Sequence, residues 1–218
     1  AKYAIISAGA GSWYPRGIER LKRSLIYHGF AGEILTWTDF PNNNYDKSCP
    51  YTIKAAAFDE AIAQGFTHIL WCDASFWAIN YVEPIFDIIN HDGYYLLRSG
   101  YNAAQSCSDA CLNYFSLTRD EAELIPDSAT GAIGIHINNP TAKQFIDDFR
   151  QAALDRVFHG SRHHDNQSSD PRFLFHRQDQ SAATLIANRL GMKLHNLGEH
   201  VDYYPVKNNN CIFAIRGM

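Results

Sequence analysis

Three features are missing from this sequence: a long apolar run, a paired cysteine motif and an excess of one charge. No stretch approaches the ~20 apolar residues that span a membrane, and no signal-peptide pattern opens the chain. The net charge of −4 provides no basic stripe to neutralise phosphates, so nucleic acid is not expected as a partner. These absences favour a soluble protein located in the cytoplasm.

The five cysteines are odd in number and show no Cys-x-x-Cys spacing. Neither a disulfide framework nor a zinc knuckle is therefore indicated. Cys107 and Cys111 would lie one helical turn apart, and we expect all five to be reduced thiols with a structural role.

The common nucleotide-binding loops are also missing. The turn Gly9-Ala10-Gly11 does not complete Gly-x-Gly-x-x-Gly, because position 14 is a tyrosine, and the Gly-Lys-Ser/Thr ending of a Walker loop is absent. The turn can still bring its backbone close to a nucleotide, with Trp13 or Tyr14 as a stacking face. A plain tight turn explains it nearly as well.

The sequence does contain a regular alternation of strand and helix patterns. Apolar runs of strand length predict strands at 3–7, 33–38, 68–72, 93–98 and 132–137. Helical spacing predicts helices at 15–28, 53–64, 84–89, 141–154 and 180–190. The polar segment 156–176 is predicted to be a long loop of the kind that closes over a site. The length of the chain favours a single domain over residues 1–218. The alternating order favours an α/β fold with a mainly parallel sheet flanked by helices.

Parallel sheets bind ligands beyond the carboxyl ends of their strands. That rule selects four places: 7–13, Asp39, 73–75, and a turn around Thr130-Gly131.

Asp73 is the strongest single candidate among these residues. It follows the apolar run 68–72, and a carboxylate at such a place is costly unless it is paired, hydrogen-bonded or bound to a cation. No Lys or Arg lies within several residues of Asp73, so Mg²⁺ or Mn²⁺ would balance its charge, with Ser75 as a hydroxyl or water-mediated ligand. The alternative is a helix N-cap, a common role for Asp or Ser after a strand.

Three further side chains are candidates by residue type. Asp179 stands at the start of the last predicted helix, where it either caps that helix or places a carboxylate in the cleft. His195 and His200 bracket Gly198 and would complete a metal shell, although a lone surface histidine is the commoner outcome. The histidine-rich run 159–165 fits no closed zinc site.

Several segments occur in an order that a known group of enzymes shares. Ile5-Ile6-Ser7-Ala8-Gly9 leads into a helix ending in Arg23-Ser24-Leu25, and Lys54 stands in a helix before Ile69-Leu70-Trp71-Cys72-Asp73-Ala74-Ser75. Later segments are Ala129-Thr130-Gly131-Ala132-Ile133-Gly134-Ile135-His136-Ile137-Asn138-Asn139-Pro140, Arg177-Gln178-Asp179-Gln180-Ser181 and His195-x-x-Gly198. Together they resemble the GT-A glycosyltransferases, particularly the glycogenin-like and bacterial lipopolysaccharide galactosyltransferase families. The resemblance spans nearly the whole chain, with two departures: Ser75 replaces the second acid of Asp-x-Asp, and Val201 replaces the Lys that usually follows His-x-x-Gly.

This resemblance implies a Rossmann-like GT-A domain that moves a sugar from a nucleotide diphosphate, preferably UDP, to a hydroxyl of a glycan, lipid-linked or protein acceptor. It favours retention of anomeric configuration and implies Mn²⁺ or Mg²⁺ held by Asp73, Ser75, His195 and His200. The residues it implies for donor binding are Ser7, Ala8, Gly9, Trp13, Arg16, Asp39, Lys54, Asp73 and Ala74. Asp179, Gln180 and Thr130 would be catalytic, and Asp179 would be the general base if the reaction inverts.

Two other functions fit the same residues. A nucleotidyltransferase shares the fold and an Asp-centred metal, but it usually carries Arg and Lys in the loop after the first strand, where this chain has only Arg16. A non-catalytic sugar-nucleotide or carbohydrate-binding module would explain Ser75 in place of the second acid.

Overall fold

The computed structural model describes residues 1–160 and 168–217. Its strands are β1 (Tyr3–Ala8), β2 (Glu33–Trp37), β3 (His68–Cys72), β4 (Phe76–Ala78), β5 (Tyr94–Asn102), β6 (Pro126–His136), β7 (His195–Asn196), β8 (Val201–Tyr203) and β9 (Phe213–Ile215). Its helices are α1 (Tyr14–Tyr27), α2 (Ile53–Ala63), α3 (Glu83–Asp92), α4 (Ala103–Ser106), α5 (Asp109–Tyr114), α6 (Arg119–Glu123), α7 (Pro140–Leu154) and α8 (Asp179–Arg189). Within these two ranges, no helix has both the length and the apolar character needed to cross a bilayer.

The central sheet has six strands in the order β2-β1-β3-β6-β5-β7. β1 runs parallel to β2 and β3, and β5 runs parallel to β7. β6 is antiparallel to both of its neighbours, β3 and β5. The predicted α/β fold with a mainly parallel sheet is therefore confirmed, with one reversed strand near the middle.

The reversed strand corrects the prediction of a turn at Thr130-Gly131. Both residues lie inside β6, and the predicted strand 132–137 corresponds to its second half. Cys72 at the end of β3 pairs with Ala132, so the first half of β6 extends past that end. Thr130 thus reaches the expected edge of the sheet from within an antiparallel strand, and the register of β6 against β5 shifts nearby, as at a β-bulge.

Helices cover both faces of the sheet because its middle strands are apolar on both sides. The side chains of Ile69 and Trp71 in β3 lie on the sheet face that α2, α7 and α8 cover. Leu70 and Cys72 pack on the opposite face, under α1, α3 and strands β4 and β9. Fully burying such a large side chain stabilises the fold by about 1.5–3 kcal/mol, which fixes the register of β3 and with it the position of the next residue, Asp73.

The ends of the long helices follow from local sequence signals. Pro15 lies in the first turn of α1, where a missing N–H costs nothing. Gly29 and Gly191 follow α1 and α8 with positive φ angles of 73° and 64°, which glycine adopts without strain. The Asn139 side chain accepts a hydrogen bond from the Ala142 N–H and caps α7.

A second, three-stranded sheet was not predicted from the sequence. Its order is β4-β9-β8, with β4 antiparallel and β8 parallel to β9. β4 begins directly after 73–75, and the Arg216 N–H donates to the Ser75 carbonyl at 2.9 Å. The second sheet therefore holds the C-terminal strand beside the loop that follows Asp73.

The described residues revise the position predicted for Cys107 and agree with the predictions of free cysteines and of a long loop. Cys107 lies between α4 and α5 rather than on one helix with Cys111, and all five cysteines are buried and free. The flanks of the predicted loop, 156–160 and 168–176, hold turns and irregular backbone, while 161–167 lie outside the described residues.

Candidate active site

Four side chains from four different elements meet where β3 ends. Asp73 follows β3, Lys54 is in the first turn of α2, Thr130 is in β6 and Asp179 is the first residue of α8. The Asp73 N–H donates to the Gly131 carbonyl at 2.8 Å, which continues the β3–β6 pairing by one residue and fixes the Asp73 backbone.

Lys54 is the centre of this group, which we call the lysine–carboxylate cluster (Lys54, Asp73, Thr130 and Asp179). Its Nζ lies 2.8 Å from Asp179 Oδ2 and 3.2 Å from Asp73 Oδ1. The same Nζ donates to the Thr130 carbonyl at 2.8 Å. The Thr130 hydroxyl donates to Asp179 Oδ2 at 2.6 Å, so Asp179 is held from two directions.

The cluster is deeply buried on the side of α2 and α8. Lys54 is 7% exposed and Asp179 is 3% exposed, whereas the Asp73 side chain is 37% exposed. Burial alone lowers the pKa of Lys54, but the charges of Asp179 and Asp73 outweigh burial and hold that pKa above its ordinary value. Lys54 is therefore positioned as the cation that pairs with both carboxylates.

Lys54 is a cation beside Asp73 that the absence of a Lys or Arg nearby in the sequence did not predict. The missing cation comes from a distant part of the sequence, because α2 packs across the sheet onto the end of β3. Asp73 Oδ1 is committed to Lys54 and to the Trp71 Nε1–H, which donates to it at 2.7 Å. The carboxylate therefore offers Oδ2 to any ligand.

Gly131 is required by the close packing around Asp73. A Cβ built at Gly131 would lie 2.8 Å from the Phe76 ring and 3.6 Å from Asp73 Oδ2. The first of these distances is a steric overlap, so a larger residue would displace either the ring or β6. Thr130 thus provides the hydroxyl that binds Asp179, and Gly131 leaves the space that Phe76 and Asp73 occupy.

Asp127 and Gln180 form a second polar group next to the cluster, which sequence reasoning missed in part. Asp127 in β6 is fully buried, and Gln180 Nε2 donates to its Oδ2 at 2.6 Å. Three hydroxyls also donate to its carboxylate, from Ser99, Ser106 and Thr184. Burial raises the pKa of Asp127, against the lowering effect of these hydrogen bonds. Asp127 stands in no motif, so the sequence carries no signal for it.

The end of β1 lies beside β3 at the same edge of the sheet. Ser7 and Ala8 are buried there, and the Gly9 N–H donates to the Trp37 carbonyl at 3.0 Å. A Cβ at Gly9 would overlap the Tyr14 side chain at 2.7 Å, so glycine allows Tyr14 to fold over the turn. The Trp13 ring meets Tyr14 edge to face at 5.1 Å.

Asp39 and Arg16 lie at the exposed margin of this edge. Asp39 follows β2 and accepts from the Phe40 N–H at 2.7 Å. Arg16 is exposed on α1 and, with Arg20, Arg23 and Tyr27, lines a groove of about 830 Å³.

The two residues after Asp73 are fixed by α1 and by the C-terminal strand. Ala74 is buried, and its carbonyl lies so close to Gly17 of α1 that any side chain at Gly17 would collide with it. The Ser75 carbonyl accepts from Arg20 Nη2 at 3.0 Å and from the Arg216 N–H. The loop is therefore rigidly placed by its backbone.

His195 and His200 pack around Tyr95, and the group of potential metal ligands that they form with Glu199 does not include Asp73. His195 on β7 stacks on Tyr95 at 4.8 Å and lies 3.3 Å from Glu199 Oε2, and His200 meets the same tyrosine edge to face. Tyr95 packs on the α1 face of the sheet, whereas Asp73 Oδ1 faces Lys54 on the α2 face. The strand order explains this separation. β7 pairs with β5 at the edge of the sheet and lies three positions from β3.

His195, Glu199 and His200 form a group of their own. Their potential ligand atoms all lie within 4.8 Å of one another. Two imidazoles and a carboxylate suit Zn²⁺ better than Mg²⁺. Glu199 already accepts from His195 and from Asn196, whereas the buried His200 Nδ1 has no hydrogen-bond partner among the described residues.

Arg172 and Arg177, at the C-terminal side of the predicted long loop, have partners of their own. Arg172 binds Asp120, Glu123 and Asp170 at 2.8–2.9 Å. Arg177 lies over the Phe175 ring at 5.0 Å, and its Nη2 is 3.5 Å from Gln180 Oε1. Of these two described arginines, Arg177 is the one that contacts Gln180.

No protein-family model and no curated protein matches this sequence. Solved structures match it at the level of the fold. A glycosyltransferase involved in glycosylation of the major capsid of PBCV-1 aligns with a TM-score of 0.58 and 11% identity, over 99% of this chain and 92% of that one. Mouse xyloside xylosyltransferase 1 aligns with a TM-score of 0.53 and 10% identity, over 99% and 98% of the two chains.

The WbbM bifunctional glycosyltransferase aligns with a TM-score of 0.51 and 13% identity, over 94% of this chain. The match covers 40% of WbbM, so this chain corresponds to one part of that protein. The three likenesses confirm the predicted glycosyltransferase-type fold.

Proposed function

We propose that residues 1–218 act as one glycosyltransferase domain that moves a sugar from a nucleotide diphosphate donor to an acceptor hydroxyl. The observation that carries this proposal is the buried lysine–carboxylate cluster at the carboxyl end of β3, in a fold shared with three glycosyltransferases. This edge is where sheets of this type bind nucleotides. Carboxylates held in fixed positions by a cation can stabilise the positive charge that develops on a transferred sugar.

In the proposed reaction, the bond between the anomeric carbon and the diphosphate oxygen breaks, and the electron pair leaves with the diphosphate. The acceptor oxygen forms the new bond to the anomeric carbon, and its proton passes to the departing diphosphate. Positive charge develops on the sugar ring, where Asp179 and Asp73 stabilise it from fixed positions. Lys54 and Thr130 hold Asp179, so little reorganisation is needed when the charge appears.

We propose UDP as the nucleotide, following the sequence resemblance, with Trp13 and Asp39 placed to contact the base and ribose. Retention of configuration fits Asp179 better than inversion does. An inverting enzyme needs a general base that is free to take the acceptor proton, and Asp179 Oδ2 is held by Lys54 and Thr130.

We propose that a divalent cation, if used, is held by Asp73 Oδ2 and the Ser75 hydroxyl. Both are hard oxygen donors of the type that Mn²⁺ and Mg²⁺ accept, and phosphate and water oxygens would supply the remaining ligands. When bound, the cation neutralises charge on the departing diphosphate. His195 and His200 are left out of this shell because they lie on the other face of the sheet.

The test is nucleotide release from a panel of nucleotide sugars, with and without Mn²⁺, by the wild type and by Asp73→Asn. We expect one donor to be turned over, and turnover by Asp73→Asn to fall by about 10²-fold, because the variant loses the charge that faces donor and metal. Asp92→Asn at the end of α3 is the matched control and should keep wild-type turnover.

A non-catalytic sugar-nucleotide-binding module is the second candidate function, and Ser75 in place of an acid favours it. Tight UDP binding with no turnover of any donor would support the module and overturn the transferase. Turnover that Asp73→Asn leaves unchanged would overturn the placement of the site.

A further inference from the structure

Asp127 is a buried carboxylate that the proposed reaction does not use. It is fully buried in β6, and Gln180, whose side chain it contacts, directly follows Asp179 of the lysine–carboxylate cluster. Burying a carboxylate without a cation is unfavourable, and four side-chain donors converge on it instead. We therefore ask what a buried carboxyl group with four side-chain partners does.

The donors to Asp127 are themselves oriented by the backbone. The Ser99 hydroxyl accepts from the Tyr101 N–H and donates to Asp127 Oδ2. The Thr184 hydroxyl accepts from the Ser128 N–H and donates to Asp127 Oδ1. Each hydroxyl proton is thus directed at the carboxylate, so both oxygens of Asp127 act as acceptors.

An acceptor at this place decides which way the Gln180 amide faces. Gln180 has one donor end and one acceptor end, and a carboxylate oxygen accepts only from the donor end, Nε2. Oε1 must then point the other way, and it lies 3.5 Å from Arg177 Nη2. With a donor in place of Asp127, the amide would turn over and exchange its two ends.

We propose that Asp127 is a positioning residue that sets the orientation of the Gln180 carboxamide, so that Oε1 rather than Nε2 faces Arg177 and the donor sugar. In this role it rests on the proposed transferase function. An oxygen directed at the sugar stabilises the positive charge that develops there, whereas an N–H₂ group in the same place would oppose it.

The first experiment compares kcat and KM for the donor in the wild type, Asp127→Asn and Ser128→Ala. Because a hydrogen bond to a charged group contributes a substantial free energy, kcat of Asp127→Asn should fall about tenfold to a hundredfold. KM should stay within about threefold of the wild-type value. Ser128→Ala is the matched control, because its buried Oγ has no hydrogen-bond partner within the described ranges, and it should behave as the wild type. An unchanged kcat in Asp127→Asn would overturn the proposal.

The double variant Asp127→Asn/Gln180→Glu separates positioning from a merely structural role. The Asn amide now donates to the Glu carboxylate, so the pair is restored with donor and acceptor exchanged, and an oxygen again faces Arg177. We expect kcat to recover at least part of the loss seen in Asp127→Asn. A double variant that is no better than the single variant counts against the proposal.

A second measurement detects the hydrogen bond between Gln180 and Asp127 without relying on turnover. In the wild type, exchange of the Gln180 side-chain amide protons with water should be at least about tenfold slower than that of Gln144, which makes a similar but exposed bond to Asp148. Equal exchange rates would overturn the positioning role, even where Asp127→Asn does not fold. Slow exchange in a protein that turns over no donor would leave the contact intact and reject the transferase function instead.

Discussion

Replacing Lys54 by methionine is expected to abolish measurable turnover and to destabilise the fold. The change leaves Asp179 buried beside Asp73 with no cation, and removing one partner of a buried ion pair costs about 3–5 kcal/mol. In a chain of this size that cost lowers Tm by roughly 10 °C. Turnover should fall by more than about 10²-fold, because both carboxylates lose the group that positions them. Thermal unfolding and nucleotide release measure the two effects.

The pH dependence of this loss follows from the raised pKa of Lys54. A lysine whose pKa is raised on folding contributes stability that is fully present below its unfolded pKa and is lost as pH rises through the folded value. The loss in free energy of unfolding caused by Lys54→Met should therefore be the same at about pH 6 and at about pH 8.

Lys143→Met is the matched control for this change. Lys143 pairs with Asp147 on the exposed side of α7, and such pairs contribute little. Its Tm and turnover should match the wild type. Wild-type turnover in Lys54→Met would show that the lysine–carboxylate cluster is structural.

Replacing Asp179 by asparagine is expected to lower kcat by about 10²–10³-fold with little change in the donor KM. The variant keeps the shape of the side chain but removes the fixed negative charge near the sugar. Lys54 stays paired with Asp73, so the fold should lose less stability than in Lys54→Met. Steady-state kinetics with the donor identified in the panel measure the effect.

Asp148→Asn provides the comparison for Asp179→Asn. Asp148 is a carboxylate on α7 that binds Arg189 at 2.9 Å near the surface, and its replacement should leave kcat unchanged. If Asp179→Asn also kept kcat within about threefold of wild type, an effect no larger than that of a surface change, its proposed role would be wrong.

The sequence predicted the parts of the fold that depend on local patterns. β3 was found because a continuous apolar run after His68 fits a strand buried on both faces. α1 and α8 were found because apolar spacing, Pro15 and the glycines that follow each helix agree. The placement of Asp73 at the end of β3 follows from the same pattern.

The parts that were missed depend on contacts between distant segments. No periodicity in the sequence predicts that α2 places Lys54 against Asp73, so the pairing of this carboxylate with a lysine could not be foreseen from the sequence. The spacing of His195 and His200 likewise carries no information on the face of the sheet they occupy. That face is decided by the pairing of β7 with β5.

Asp127 shows why a functional network can leave no trace in a single sequence. Its four donors come from β5, α4 and α8, and none of them forms a motif with it. Its neighbours on β6 are an ordinary mixture of small and polar residues. The signal is burial together with hydrogen bonding, and both need the fold.

The central claim is that the donor nucleotide binds where β1 and β3 end, with its diphosphate beside Asp73. A crystal structure of the full chain with Mn²⁺ and the nucleotide of the donor that is turned over tests this claim most directly. We predict diphosphate density against Asp73 and the turn after β1, with the lysine–carboxylate cluster unchanged beneath it. A nucleotide bound in the groove of Arg16, Arg20 and Arg23 on α1, with no density beside Asp73, would contradict it.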